Sequence, residues 1–441
     1  MKTYLKSHLS DARIKACQDD RFSMQDKFFS ESLQQVGEVC VNKLRQLYAI
    51  YDENIYIWLS RLWEPDIGGF YFSESARDSH GFLPDIESTV GALHFIEPCG
   101  LNSSRPGKRN IDALPEQMRK KLIEFTKGLQ DAEDGYFYHS QWGKRILVSR
   151  RGRDLGWATS LLRELSDFPL YPTPLDKSDN GEKSSSLPEH LSSLKAFREY
   201  LSGLNFQSQS YWNGNLLQSQ QRQIQAAGND FVDLMFSHLE SIQREDNGLW
   251  EPQVNYASVN GLMKINLMYM YFGRPLPYAD IALKNSLNVA LSNEKILYCT
   301  QFYNPLVTIG QILNNIKKFD GESRSDALRS VIKERTDELI DTTIKKVKPC
   351  RRDDGAFSYF YDKGCDASQG APVSLGVLES DVNATGITSW GIAHHLCSIF
   401  DIPSVPMFGA EDSALFYDLI ENANSFPKVN QKPDWFDSKL V

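Results

Sequence analysis

The chain has 441 residues, 41% of them hydrophobic and 24% charged, with a formal net charge of −9. These proportions belong to an ordinary folded protein and exclude a disordered, collagen-like or coiled-coil chain. The acidic balance argues against a nucleic-acid or anionic-membrane partner.

Aromatic residues are the one excess, with 19 Tyr, 24 Phe and 8 Trp. No break in composition marks a domain boundary. The expectation is a single domain over 1–441, with a helical lead-in at 1–44, a mobile Ser-, Asp- and Lys-rich loop at 176–186 and a tail at 425–441. The N-terminus carries no apolar run of signal-peptide length, and no window approaches the ~18 apolar residues of a membrane helix. The richest stretch, Leu262 to Phe272, is interrupted by Lys264 and Asn266. A cytoplasmic protein without a membrane partner is expected. Seven cysteines stand far apart, without a CxxC pair or zinc spacing, and read as free thiols. No metal or organic cofactor is implied.

A recurring module runs along the chain. It is an acidic residue or Asn, then Gly, then an aromatic one or two residues on: Asp66-Ile67-Gly68-Gly69-Phe70, Asp134-Gly135-Tyr136-Phe137, Asn247-Gly248-Leu249-Trp250 and Asp354-Gly355-Ala356-Phe357. Gly supplies a positive φ, Asp or Asn bonds back to the local backbone, and the aromatic plugs the turn into a core. After each copy comes a helix start rich in small residues: Asp85 to Leu93, Asp154 to Leu162, Tyr256 to Leu262 and Glu379 to Ile387. Gly68, Gly135, Gly248 and Gly355 stand 67, 113 and 107 residues apart. The first interval fits one helical hairpin and the others two each. The two hairpins without a glycine turn fall at Tyr211 to Gly214 and Tyr303 to Leu306. About six self-similar hairpins burying a shared core predict an all-α, (α/α) ring of inner helices wrapped by outer ones.

This pattern resembles the α/α-toroid superfamily, which holds terpene cyclases with protein prenyltransferases, six-hairpin glycosidases and toroidal polysaccharide lyases. Gln243…Gly248-x-Trp250 resembles the Gln…Gly-x-Trp repeat of the cyclases. Asp85-Ile86-Glu87-Ser88-Thr89 is similar to their Asp-x-Asp-Asp-Thr acid motif, with Glu in the proton-donor place and Ser replacing the last Asp. Asn247-Gly248-Leu249-Trp250 is equally similar to the Asp-Gly-Leu-Trp turn of unsaturated glucuronyl hydrolases. The resemblance spans roughly 45–400 and implies a toroid with its site in a central cup.

Two acidic clusters open neighbouring inner helices, Asp85 with Glu87 and Glu379 with Asp381. Either they cap their helices, as the helix dipole favours, or they converge on the cup as the carboxylate pair of a glycosidase. In the second case Glu87 is the general acid and Asp381 its partner base, with Asp85 and Glu379 as positioning or alternate acids. A basic run, Lys144, Arg145, Arg150, Arg151 and Arg153, ends at Asp154. It is a solvated face or an anion clamp. In the clamp, Arg77, Arg151 and Arg153 hold the substrate anion. Tyr138, Trp142, Trp250 and Tyr256 stack on sugar rings or plug the core. His139 is a wall histidine or a base for β-elimination, and stands with Asp154 as the next catalytic candidate. The first functional expectation is a glycoside hydrolase or lyase acting on an anionic, uronate-containing oligosaccharide. A terpene-cyclase-like enzyme and a non-catalytic binding toroid are the alternatives.

Overall fold

The computed structural model describes residues 9–79, 81–105, 110–176 and 186–424. The expected tail at 425–441, and residues 177–185 of the expected loop, lie outside the described residues. Helices hold 61% of the residues. Strands among the described residues are two short antiparallel pairs, Trp63–Glu64 with Gly69–Phe70 and Ala367–Ser368 with Ala371–Pro372. Among the described residues no helix is long and apolar enough to cross a membrane.

The first helices are α1 (Asp11–Tyr48), α2 (Asn54–Ser60), α3 (Glu74–Asp78), α4 (Ile86–Ile96), α5 (Glu116–Gly128) and α6 (Val148–Glu164). There follow α7 (Leu194–Ser202), α8 (Phe206–Ser219), α9 (Gln221–Ala227), α10 (Asn229–Ser241), α11 (Tyr256–Tyr271) and α12 (Ala279–Ala290). The last are α13 (Thr300–Phe319), α14 (Glu322–Lys333), α15 (Thr336–Val347), α16 (Val382–Gly386), α17 (Ile392–Phe400) and α18 (Ala410–Glu421). A π-helical turn, Ile387–Gly391, joins α16 to α17.

Seven of these pack in a circuit, α16 and α17 being joined end to end by that turn. Helix α4 lies on α6, α6 on α8, α8 on α11, α11 on α13, α13 on α17, and α16 returns to α4. The circuit depends on small residues where helices cross. A Cβ on Gly261 of α11 would collide with Ser210 of α8, and one on Gly214 of α8 would stand 3.0 Å from the Lys264 Cβ of α11. The stretches Tyr211–Gly214 and Tyr303–Leu306 lie inside α8 and α13. Helix α1, which takes up the expected lead-in, continues to Tyr48 and packs on α15, α17 and α18. Its buried Arg21 donates to Glu53 and Asp412, tying α1 to the start of α2 and to α18.

The four module glycines have φ between 70° and 111°, the left-handed region that glycine enters without a Cβ penalty. The turns stand between α2 and α3, α5 and α6, α10 and α11, and α15 and α16. The repeats share bonds as well as sequence. Gln130 Nε2 donates to the Gly135 carbonyl at 3.3 Å, and Gln243 Nε2 to the Gly248 carbonyl at 3.0 Å. The Phe70 amide donates to Thr89 Oγ1 at 3.0 Å, and the Phe357 amide to Thr385 Oγ1 at 3.2 Å. Thus the turn after one helix is fastened to the first turn of the next.

Candidate functional site

Arg150, in the first turn of α6, is completely buried and serves three carboxylates. Its Nη2 donates to Asp85 Oδ1 at 2.8 Å, its Nη1 to Glu87 Oε2 at 2.6 Å and its Nε to Asp154 Oδ1 at 2.8 Å. Its Nη1 also donates to the Ser368 carbonyl at 3.2 Å, and Ser368 Oγ donates to Glu87 Oε2 at 2.6 Å. Ser368 stands on the hairpin Ala367–Pro372, whose tip residues Gln369 and Gly370 both have positive φ (51° and 80°), as a two-residue hairpin turn of this twist requires. Gln369 Oε1 accepts from Asn215 Nδ2 of α8 at 2.8 Å. The 357–380 loop therefore reaches the starts of α4 and α6 and the side of α8. Gln141 joins the 136–153 loop to the same end, accepting from the Leu83 amide and donating to the Gly81 carbonyl, both at 2.9 Å.

The expected acids divide by environment. Asp85 caps α4, accepting from the Glu87 and Ser88 amides at 2.8 and 3.1 Å. Asp381 caps α16, taking the Ala384 amide on one oxygen at 2.7 Å and the Tyr359 amide on the other at 2.8 Å. Burial pushes the Asp381 carboxyl up to about 7 against the pull of those amides. Burial also pushes Asp154 up to about 7, opposed by Arg150 and assisted by Glu87 and Asp85. One guanidinium shared among three carboxylates leaves Asp154 weakly held. Glu379 lies elsewhere, accepting from Ser73 Oγ and the Ser75 amide at 2.8 and 2.9 Å. It lines a separate cavity with Arg61, Glu74 and Arg351. Of the expected acids, Glu87 lines a cavity between α4, α6 and α16.

The expected binding residues also separate. Arg153 faces the interior of the circuit. Its Nε donates to Ser219 Oγ at 3.1 Å and its Nη2 to Asn215 Oδ1 at 2.8 Å, and its Nη1 lies 3.5 Å from Glu87 Oε1. Arg151 instead lies over the Tyr136 ring, 4.7 Å from its centroid. Arg77 pairs with Asp78 and donates to the Arg61 carbonyl. Trp250 is core, its Nε1 donating to the Leu239 carbonyl at 2.9 Å, and Tyr256 is buried with it. Tyr138 is buried and donates to Asp134. Trp142 is buried between Arg150, 5.3 Å from its ring centroid, and His139, stacked at 4.0 Å. His139 Nδ1 accepts from the Gln141 amide, and its Nε2 is 3.0 Å from the Pro84 carbonyl. Trp142, with His139 stacked behind it, forms the wall against Arg150.

Inside the circuit lies a cavity of about 750 Å³, lined from α4, α6, α8, α9, α11 and α13. A smaller cavity of about 200 Å³ adjoins it through Val90, His94, Arg153 and Trp157, and adds Glu87 and Asn383. The larger one holds Arg153, Arg222, Lys264, Glu164, His94 and Trp157. Arg222 is fixed by donating to Thr159 and Ser160 at 3.2 and 2.7 Å. Lys264 has no hydrogen bond or ion pair with any described residue. Its amine is pushed down to about 7 by burial and by the charge of Arg153, with Glu87 opposing. The surrounding walls also lower His94.

The sequence reading did not select Lys264, Arg222, His94, Glu164 or Trp157. Lys264 had left one signal, as the lysine that interrupts the most apolar run of the chain. Among the described residues no group of His, Cys, Asp and Glu is arranged to hold a metal ion. In comparisons with protein-family models, with curated proteins and with solved structures, the chain has no significant match.

Proposed function

We propose that this chain is an (α/α) toroid of six hairpins and an enzyme that acts on an anionic, uronate-containing oligosaccharide in the lumen of the ring. The observation that supports this is the roughly 750 Å³ cavity, in which the guanidinium groups of Arg153 and Arg222 outnumber the single carboxylate Glu164. Two fixed guanidinium groups suit a planar carboxylate, which they can meet with paired N–H donors. Trp157 offers an indole wall against a sugar ring. Glu87 enters from the adjoining cavity as the acid–base candidate, held by Arg150 and Ser368. A carbocation-forming cyclase needs a deep apolar pocket. This lumen carries Gln218, Gln221, Ser160 and Ser219 beside its charges.

The experiment is a screen of the purified chain against uronate-containing and matched neutral oligosaccharides, following reducing ends and the ultraviolet absorbance of unsaturated products together. Turnover confined to the uronate set is the expected result. Turnover confined to neutral sugars, or none in either set, contradicts the reading.

A further inference from the structure

We propose that Lys264 is the base of a β-elimination: it removes the proton α to a uronate carboxylate that Arg153 and Arg222 hold. The inference rests on the reading of the lumen as a uronate site and goes beyond it by choosing elimination over hydrolysis and by naming the proton acceptor.

The first argument is placement. Lys264 rises from the middle of α11 into the same cavity as both arginines. Its stem lies against Gly214 of α8, where a Cβ would come within 3.0 Å of the Lys264 Cβ and 3.2 Å of Ile265 Cγ1. The missing side chain at Gly214 gives that stem its room.

The second argument is the contrast in bonding. Arg153 and Arg222 are fixed by side-chain acceptors from α8 and α6, whereas the Lys264 amine is unpartnered among the described residues. The titratable groups around the lumen are Glu87 and His94 from α4, Arg153 and Glu164 from α6, Arg222 from α9 and Tyr303 from α13. Tyr303 is held up by burial and is 3.3 Å from His395 Nε2, so it is no competing base near neutrality. An amine enclosed beside fixed positive charge holds a free lone pair near neutral pH, the property that fits lysine for general-base work.

The chemistry balances without a further reactant. The two arginines neutralise the carboxylate and so acidify the adjacent C–H bond. The Lys264 Nζ lone pair takes that proton, the C–H electrons become the new C=C bond, and the β C–O bond breaks with its electrons on oxygen. The ammonium returns the proton to that oxygen. The products are an unsaturated uronate and an alcohol, and Lys264 ends as it began.

The test uses the full chain with oligomeric pectate, alginate and unsulfated hyaluronan fragments, each followed by ultraviolet absorbance and by reducing ends. Wild type, Lys264→Met and Lys264→Arg are compared. The expected result has both signals rising together in wild type, with kcat increasing through one inflection near neutral pH. Both variants lose a factor on the order of 10² or more in kcat. Lys264→Arg, which keeps the charge, retains KM better than Lys264→Met. Reducing ends without absorbance would mean hydrolysis, which keeps the proposed function and overturns Lys264 as base. Absorbance that survives in a folded Lys264→Met overturns it as well. Absence of turnover on every uronate overturns both readings. Should neither variant fold, a wild-type elimination rate that is flat with pH around neutrality rejects the assignment.

Discussion

The starts of α4 and α6 and the middle of α11 handle charged side chains in opposite ways. At the first, one guanidinium meets three carboxylates, and Trp142 and the Ser368 carbonyl close over it. At the second, Lys264 projects into a cavity and meets no acceptor among the described residues. A buried charge that is fully paired fixes structure, because removing its partner strands the rest. An amine left unpaired beside a cavity and a fixed positive charge gives up its proton more readily than one in water. Helix α8 stands between the two regions, and the first holds Glu87 through Arg150 and Ser368.

The largest effect expected is at the paired region. Arg150→Met leaves Asp85, Glu87 and Asp154 without their shared cation and should cost about 3–5 kcal/mol in urea unfolding. A loss below about 1 kcal/mol would show that the cluster does not depend on Arg150.

Glu87→Gln lies at the border between the two regions. The amide oxygen still accepts from Arg150 or from Ser368, so the melting temperature should fall by only a few degrees. Turnover should fall by a factor on the order of 10² where Glu87 is the acid–base residue of the proposed function, and should stay near wild type where Lys264 carries both proton transfers. A variant that unfolds, yet keeps full activity per folded molecule, would make Glu87 a structural acid.

A smaller effect is expected at Asp381, where the paired arrangement is repeated on backbone amides. Its folded value of about 7 stands above the ordinary aspartate value. Between about pH 4 and 7 the folded state therefore keeps a proton that the unfolded chain has lost, and stability declines as pH rises through that window. Asp154 contributes with the same sign. Asp381→Asn cannot ionise and should flatten the decline, read from denaturation curves at a series of pH values. An unchanged slope would place the titration elsewhere.

The helical class and the four glycine turns were legible because their signal is local: an Asp or Asn before a Gly that needs positive φ, with an aromatic just after it, ends a helix at each of them, whereas Tyr211–Gly214 and Tyr303–Leu306, expected to mark two further hairpins, lie inside α8 and α13. The same regularity masked the site. Asp85…Thr89 and Asp381…Thr385 read equally as acid motifs and as fastenings, and the structure shows the matching Phe70–Thr89 and Phe357–Thr385 bonds with a cap at each Asp. Trp250 and Tyr256 follow a module turn as lumen residues would, but their burial is decided by α10 and by the Ser292 carbonyl. The cavity residues come instead from the middle of α11, for Lys264, and from the start of α9, for Arg222. Sequence periodicity gives a helix a buried face there without saying whether that face meets another helix or an open cavity.

The central claim, that the lumen is a site for an anionic sugar, is tested most directly by filling it. Gly156 of α6 lines the cavity, and a Cβ there meets only the Arg222 side chain, at 3.7 Å or more. Gly156→Phe should therefore occupy the lumen without displacing the backbone. Calorimetric titration of wild type and Gly156→Phe with a uronate oligosaccharide and its neutral counterpart gives the answer. The account predicts binding of the uronate by wild type in preference to the neutral sugar, and its loss in Gly156→Phe at an unchanged melting temperature. Equal binding of both sugars, or uronate binding that persists in the filled variant, would contradict it.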